Sequence, residues 1–326
     1  MGEFELIAQY FKRPVRRAAL GVGDDCALLQ PTAGCQLAIS SDMLVQGRHF
    51  FADTDPYRLG HKALAVNLSD LAACGAQALG FTLALALPEV DAAWLEPFSR
   101  GLLALADEHD CELVGGDTTR GPLNICITVF GEVPVVGAAS QALLRSGARA
   151  GDDLYVSGSL GDARLALEAL RGQWTLPPAL LERARQRLEQ PAPRLALGRK
   201  LRGLASAAID ISDGLLGDLG HVLRASGVGA RIDAAALRDL LACHGTALDA
   251  VVPTQHQRDC VLAGGDDYEL AFTAPPERRA QVLSAAADSE TPVTRIGQID
   301  EGPAIRVLDT AGAVITGRWA SFDHFS

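Results

Sequence analysis

The chain has 326 residues, 48% hydrophobic and 21% charged, which is typical of a globular protein and long enough for two domains. No apolar run approaches the ~20 residues of a membrane-spanning helix, so a membrane protein is not expected. The formal net charge of -11 argues against nonspecific nucleic-acid binding, which needs clustered Lys and Arg.

The first half of the chain alternates predicted strands and helices. In chain order they are a strand at 36–39, a polar turn at Ser40–Asp42, a helix from N-cap Asp55 to Gly75, a buried strand at 79–87, a helix from Asp91, a strand at 112–114, a loop at 115–121 and a strand at 123–133. Residues 135–152 are rich in Gly, Ala and Ser and contain several breakers. This composition predicts a domain boundary, with domains at 1–137 and 138–326.

The second half also mixes helices and strands. Strands are predicted near Leu154, at 207–209 and at 268–272, with helices across 160–205 and after Asp213. The predicted fold class is therefore mixed α/β in two domains, although the pattern does not indicate the strand order.

The seven cysteines are scattered without a C-x-x-C pair, which argues against a zinc site and against a disulfide framework. The N-terminal segment MGEFELIAQYFKRP has acidic residues before its basic ones and no long apolar stretch, so a secretory signal is not expected. Together these features predict a cytoplasmic protein with reduced thiols.

Aspartates recur in Gly- or Ser-rich settings, mostly at predicted junctions between strands, loops and helices. They are Asp24, Asp25, Asp42, Asp70, Asp117, Asp210, Asp213, Asp266 and Asp267. For any one of them, a local role at a turn or helix cap is the simpler interpretation. Asp70 differs because it lies in an apolar helical segment, where a buried unpaired carboxylate would be costly. It must either face solvent beside Asn67 or have a cation partner.

The oxygen donors of these motifs favour a magnesium-bound nucleotide. Glycine pairs precede Asp117 and Asp266, leaving room for a ligand to approach the backbone, and no His or Cys cluster accompanies the carboxylates. A P-loop, a dinucleotide fingerprint and a protein-kinase catalytic loop are all absent from the sequence. Phosphate binding is therefore predicted to use metal ions, backbone amides and Arg145 or Arg149.

Together the motifs resemble the thiamine-monophosphate kinases, in the ATP-binding superfamily that includes aminoimidazole ribonucleotide synthetase and selenophosphate synthetase. The matching blocks are GEFELIAQYF, GDDCALL, SSDMLVQGRHF, KALAVNLSDLAACGA, GGDTTRGPL, RSGARAGD, IDISDGLLGDLGH, GGDDYEL and WASFDHF. The resemblance implies an aminoimidazole ribonucleotide synthetase-like fold. Its N-terminal domain would bind ATP and magnesium and form a β-barrel with a second copy in a homodimer. Its C-terminal α/β domain would complete the nucleotide and substrate site.

The resemblance also implies roles for individual residues. Metal-binding positions are Asp25, Ser40, Ser41, Asp42, Asp70, Asp117, Asp210 and Asp213. ATP-binding positions are Gly116, Asp117, Arg145 and Ser212, and substrate-binding positions are His49, Asp266 and Trp319. The family often has Glu where this chain has Asp266, so a substrate contact there would come from a shorter carboxylate.

The implied reaction transfers the γ-phosphoryl group of ATP directly and in line to thiamine monophosphate, with several Mg²⁺ ions. The acceptor phosphate has a second pKa near ~6 and is mostly ionised at neutral pH, so no general base and no catalytic residue are expected. The alternatives are a selenophosphate synthetase-like or aminoimidazole ribonucleotide synthetase-like enzyme, or a noncatalytic nucleotide-binding sensor.

Overall fold

The computed structural model describes residues 2–317 and Trp319, and within them the chain divides into two compact units. The first unit comprises the residues up to Leu71 and Ala76–Ala142, and the second comprises Ala72–Gly75 and the residues from Leu143. The boundary predicted at residues 137 and 138 lies shortly before this division. None of the described helices combines the length and apolar character needed to cross a bilayer.

The first unit is built on one mixed sheet. Its elements are α1 (Glu3–Tyr10), β1 (Cys35–Val45), α2 (Pro56–Ala73), β2 (Gln77–Leu87), α3 (Ala92–Glu108), β3 (Glu112–Arg120), β4 (Asn124–Val136) and β5 (Ala139–Ser140). The strand order is β1-β4-β2-β3, with β5 paired to β4. Strands β2 and β3 are parallel and the other pairs are antiparallel.

Both predicted helix starts in this unit are confirmed. The Asp55 carboxylate accepts a hydrogen bond from the Arg58 amide at 3.0 Å, directly before α2. Asp91 caps α3 by accepting from the Ala93 amide at 2.9 Å. Each carboxylate satisfies an amide that has no partner within the helix, which stabilises the helix end by about 1 kcal/mol.

The predicted turn at Ser40–Asp42 is wrong, and so is the predicted loop at 115–121 except for Gly121, because the other residues lie within strands. Strand β1 runs to Val45 in register with β4, and β3 pairs with β2 as far as Arg120. Ser, Asp and Gly favour turns locally, but pairing with a neighbouring strand overrides that preference. Since side chains alternate along a strand, Ser40 and Asp42 lie on one face of the sheet and Ser41 on the other.

The second unit is built on a six-stranded sheet covered by helices. Its elements are β6 (Asp153–Ser157), α4 (Asp162–Leu170), α5 (Pro178–Glu189), α6 (Leu195–Leu201), β7 (Ala207–Ile211), α7 (Leu215–Ser226), β8 (Gly229–Asp233), α8 (Ala234–Leu237), α9 (Thr246–Asp249), α10 (Thr254–Ala263), β9 (Glu269–Ala274), α11 (Arg279–Asp288), β10 (Val293–Asp300) and β11 (Ile305–Leu308). The strand order is β11-β8-β10-β6-β9-β7. The predicted strands β6, β7 and β9 are confirmed, and so is the mixed α/β fold class.

The sheet register of the second unit brings two motifs to the same edge. Strands β7 and β9 are antiparallel neighbours, with Ile211 opposite Glu269. The segment 212–214 that leaves β7 therefore lies beside the segment 264–268 that enters β9. Two of the acidic sequence motifs thus meet at one end of this sheet.

Candidate active site

Three oxygen-bearing side chains lie on the helix-covered face of the first unit's sheet, and we call Ser40, Asp42 and Asp70 the helix-side group. The Ser40 hydroxyl donates to the Asp70 carboxylate at 2.5 Å, which ties strand β1 to helix α2. Ser40 and Asp42 are alternate residues of β1 and therefore share this face. All three residues are half-buried. Asp70 is thus not fully exposed beside Asn67, because its half-buried carboxylate accepts from a hydroxyl. Its binding of a cation stays a prediction.

Asn67 holds this arrangement in place, and the sequence analysis gave it no role. Its side chain is 1% exposed. Its Oδ1 accepts from the Asp42 amide at 2.9 Å, and its Nδ2 donates to the Ala63 carbonyl at 3.0 Å. The signal that could have identified it is an amide three residues before Asp70 within the same apolar helical segment, where a polar side chain needs partners.

We expect Asn67→Ala to lower the free energy of unfolding by about 1–3 kcal/mol, because it leaves the Asp42 amide without its acceptor. The variant should also lower activity, since the position of Asp42 on β1 is no longer fixed. Urea denaturation is the measurement, and Asn124→Ala on β4 is the control. The Asn124 amide makes only a 3.3 Å contact with Met43 Sδ, so its loss should change stability by less than about 0.5 kcal/mol. Equal stability changes in the two variants would contradict this role.

A cleft of about 1040 Å³ in the first unit contains the second acidic group, Asp25 and Asp117, with Asp24 beside them. Apolar residues of α1 and β1, including Phe4 and Ile39, line other parts of the cleft. Asp25 and Asp117 are exposed. Carboxylates are thus displayed beside apolar surface in a space large enough for a nucleotide.

Gly116 and Lys12 also line this cleft. Gly116 has φ of +149°, and a Cβ there would overlap the carbonyl of Leu83 on β2. The glycine is therefore needed for strand pairing, whereas the ligand approach expected at this position stays a prediction. Lys12 is one of only three lysines in the chain, so this acidic cleft also contains a cation that the sequence analysis did not single out.

Ser41 and His49 lie apart from the helix-side group. The Ser41 hydroxyl donates to the Ile127 carbonyl at 3.1 Å and lies 3.0 Å from the Thr128 hydroxyl, on the opposite face of the sheet. His49 follows β1, and its Nδ1 accepts from the Val45 amide at 3.0 Å. That bond orients the imidazole at the end of β1, and a neutral ring then carries its proton on Nε2. The roles assigned to Ser41 and His49 stay predictions.

In the second unit, Asp210 at the end of β7 precedes Ser212 and Asp213, and the buried carboxylate of Asp218 holds this segment. Its Oδ2 accepts from the amides of Ser212 and Asp213 at 3.0 Å and of Gly214 at 3.1 Å. Burial raises the pKa of Asp218 to about 6, and the charge of Asp213 acts in the same direction. Asp218 lies within the IDISDGLLGDLGH motif, but its sequence setting does not distinguish it from a surface helix residue.

The carboxylates of GGDDYEL have different environments. Asp266 is half-buried, has φ of +68°, and donates its amide to the Ser212 carbonyl at 2.8 Å. Asp267 is fully buried and accepts from the Gly161 amide at 2.9 Å. Burial raises the pKa of Asp267 well above its ordinary range. Of these two aspartates, only Asp266 is accessible enough to contact a substrate. The substrate contact itself stays a prediction.

Glu269 of the same motif is fully buried and has structural partners. It accepts from Ser157, Arg187 and Arg194 at 2.6 Å each. Two arginines and one carboxylate thus form an ion cluster at the start of β9. The motif therefore combines one partly accessible acidic residue with two that support the interior.

Arg145 and Trp319 complete the predicted positions. Arg145 is exposed, and its carbonyl accepts from the Ser226 hydroxyl at 3.4 Å. The Trp319 indole donates to Asp259 at 2.8 Å and lines a cavity of about 380 Å³ that also contains His221 and Arg224. The ATP and substrate contacts assigned to Arg145 and Trp319 stay predictions.

The acidic groups are better suited to a magnesium ion that binds together with a nucleotide than to a metal ion held by protein ligands alone. Among residues 2–317 and Trp319, the one set of three His, Cys, Asp or Glu ligand atoms within 4.8 Å of one another is Glu168, His256 and Cys260. Arg164, Trp174 and His256 already approach the Glu168 carboxylate at 2.7, 3.0 and 2.6 Å, which makes that set a hydrogen-bond network. Mg²⁺ typically binds one or two carboxylates, keeps several waters, and takes its other ligands from substrate phosphates. The half-buried oxygen donors of the helix-side group and the exposed carboxylates of Asp25 and Asp117 are compatible with that requirement.

Comparison with known proteins assigns the chain to a family. The model "AIR synthase related protein, N-terminal domain" matches residues 23–133, and the corresponding C-terminal domain model matches residues 149–310. Thiamine-monophosphate kinase of Escherichia coli O157:H7 is 46% identical over 332 residues, covering 100% of this chain and 98% of that protein.

Solved structures agree with this assignment. The crystal structure of thiamine-monophosphate kinase from Stenotrophomonas maltophilia K279a has a TM-score of 0.83 and 45% identity, covering 96% of each chain. The structure of AaThiL complexed with AMPPCP and TMP has a TM-score of 0.75 and 28% identity, covering 91% of this chain and 89% of that one. The chain therefore belongs to the AIR synthase related family and, within it, to the thiamine-monophosphate kinases.

Proposed function

We propose that this protein uses ATP to phosphorylate thiamine monophosphate, giving ADP and thiamine diphosphate. One structural observation supports this most directly: Ser40 and Asp70, from different elements, meet at 2.5 Å on the face that also contains Asp42. These residues occupy metal-binding positions implied by the family motifs. The near full-length relatives carry the same activity in their names, and AaThiL is described in complex with AMPPCP and TMP.

The protein's own residues have a positioning task in this reaction. The attacking phosphate oxygen of thiamine monophosphate is mostly ionised at neutral pH, so no side chain has to remove a proton. The difficulty is to align two polyanions, which calls for charge neutralisation and fixed geometry. In this proposal, Gly116, Asp117, Arg145 and Ser212 position ATP, while His49, Asp266 and Trp319 position the acceptor.

We extend the proposal to Mg²⁺. Its ligands are drawn from Asp25, Ser40, Ser41, Asp42, Asp70, Asp117, Asp210 and Asp213. The bound ions supply charge neutralisation of the phosphates during transfer. The oxygen-only chemistry of these side chains supports magnesium over zinc or copper.

We also propose a homodimer formed through the open face of the first unit's sheet. Leu37, Ile39 and Met43 of β1 are 48%, 61% and 51% exposed on this face. Exposed apolar residues in a row favour a protein interface, which agrees with the shared barrel that the family resemblance implies. The proposal places the enzyme in the cytoplasm, consistent with seven cysteines that are all free.

A coupled assay for ADP tests the function. The full-length protein is incubated with ATP and MgCl₂, with or without thiamine monophosphate, and again after addition of EDTA. We expect ADP release only when both magnesium and thiamine monophosphate are present, and thiamine diphosphate formed in equal amount. Tight ATP binding without turnover would overturn the kinase and favour a nucleotide sensor. ADP release that does not depend on thiamine monophosphate would favour another reaction of the superfamily.

A further inference from the structure

The segment Ser212–Gly214 is held by a side chain outside the predicted ligand set. Three consecutive amides, those of Ser212, Asp213 and Gly214, donate to the single oxygen Oδ2 of Asp218 at 3.0 to 3.1 Å. Asp218 lies on the first turns of α7 and is 5% exposed. Three successive backbone groups are thus fixed by one buried atom.

This geometry determines what the segment can offer to a ligand. Because the three amides are used by Asp218, they are not available to bind a phosphate. The contribution of Ser212 and Asp213 to a ligand must then come from their side chains. Both residues are half-buried and directly follow Ile211, the last residue of β7.

Residues 211 and 212 also form backbone hydrogen bonds with residues 264–268, which we call the Asp266 loop. The Ser212 carbonyl accepts from the Asp266 amide at 2.8 Å, and the Ile211 carbonyl accepts from the Tyr268 amide at 2.8 Å. A Cβ at Gly265 would lie 2.6 Å from the Ser212 carbonyl oxygen, so the two loops are in close contact. Asp266 and Tyr268 have φ of +68° and +51°, a conformation that is uncommon for residues other than glycine.

We propose that Asp218 is a positioning residue for the phosphoryl transfer, and this rests on the proposed function. Its carboxylate sets the Ser212–Gly214 segment so that the side chains of Ser212 and Asp213 are aimed at the nucleotide and its metal. By fixing the Ser212 carbonyl, Asp218 also positions the loop that contains Asp266, the residue proposed to bind the substrate. The site must align two phosphorylated ligands. In this proposal, the buried carboxylate of Asp218 fixes both loops that serve this alignment, the Ser212–Gly214 segment and the Asp266 loop.

The test compares Asp218→Ala with Asp218→Asn in the full-length protein. Asn keeps one carbonyl-type oxygen that can accept the three amides, whereas Ala has no acceptor. We expect Asp218→Ala to lower kcat/KM for ATP by about a hundredfold, the scale that a misplacement of about 1 Å produces in a catalytic site. We expect Asp218→Asn to recover most of that loss.

Two further readouts separate positioning from general stability. Hydrogen exchange followed by mass spectrometry should show faster exchange in peptides covering 212–214 for Asp218→Ala and near wild-type protection for Asp218→Asn. The dissociation constant of the magnesium complex of AMPPCP, measured by calorimetry, should rise for Asp218→Ala.

Asp153→Ala is the matched control. Asp153 is also fully buried, but its carboxylate binds Arg279 and Arg295. It pairs with Ala274, which lies at the opposite end of β9 from Glu269 and the Asp266 loop. The control should lower stability while leaving protection at 212–214 and nucleotide affinity near wild type. Unchanged exchange and affinity in Asp218→Ala, or equal losses in the two Ala variants, would overturn the proposal. If the wild type makes no thiamine diphosphate, the proposed function fails, and exchange still decides whether Asp218 orders the segment.

Discussion

Asp70→Asn is expected to lower kcat by about a hundredfold or more while the protein stays folded, since an amide cannot replace a carboxylate that neutralises charge in the transition state. The amide keeps the size of the side chain and an oxygen that accepts from Ser40, so the link between β1 and α2 can persist. Steady-state ADP release at several magnesium concentrations is the measurement. The apparent magnesium requirement should rise as kcat falls.

Asp107→Asn is the control for this prediction. Asp107 is a carboxylate of the same unit that forms an exposed ion pair with Arg13 at 2.9 Å. Exposed pairs contribute about 0–1 kcal/mol, so this variant should keep wild-type kinetics. A near-normal rate for Asp70→Asn at limiting magnesium would refute the metal-binding role of Asp70.

Glu269→Ala is expected to lower the free energy of unfolding by about 3–5 kcal/mol, because it leaves Arg187 and Arg194 without their buried counter-charge. Glu269 is fully buried, and the two arginine side chains are each 17% exposed. Urea denaturation followed by circular dichroism is the measurement. Asp288→Ala, which removes an exposed pair with Lys200 at 3.4 Å, should change stability by less than about 1 kcal/mol.

A second variant distinguishes a structural ion cluster from a ligand site. Replacing the whole cluster by apolar residues, as Glu269→Leu with Arg187→Met and Arg194→Met, removes the unpaired charges together. Such replacements are often neutral or stabilising, so the triple variant should recover much of the stability lost in Glu269→Ala. A triple variant as unstable as Glu269→Ala would show that the cluster is not the cause of the loss.

Much of the architecture was predictable because local patterns are strong in this chain. The helix starts at Asp55 and Asp91 follow from cap chemistry, and the buried strands follow from apolar runs between breakers. The errors at Ser40–Asp42 and 115–120 have a common cause. Both segments contain turn-favouring Ser, Asp or Gly, and pairing with β4 and β2 makes them strands.

The sequence by itself determined the two-part α/β organisation, the family and the set of acidic residues, because composition, order and motif identity are properties of the linear chain. Only the tertiary structure decided which acidic residues are accessible and which support the interior. Asp266 and Asp267 are neighbours in the chain, yet one is half-buried and the other fully buried. The partners of Ser40, Asn67 and Asp218 likewise depend on which backbone amides and side chains lie within hydrogen-bond distance after folding. Residue type alone does not predict these partners.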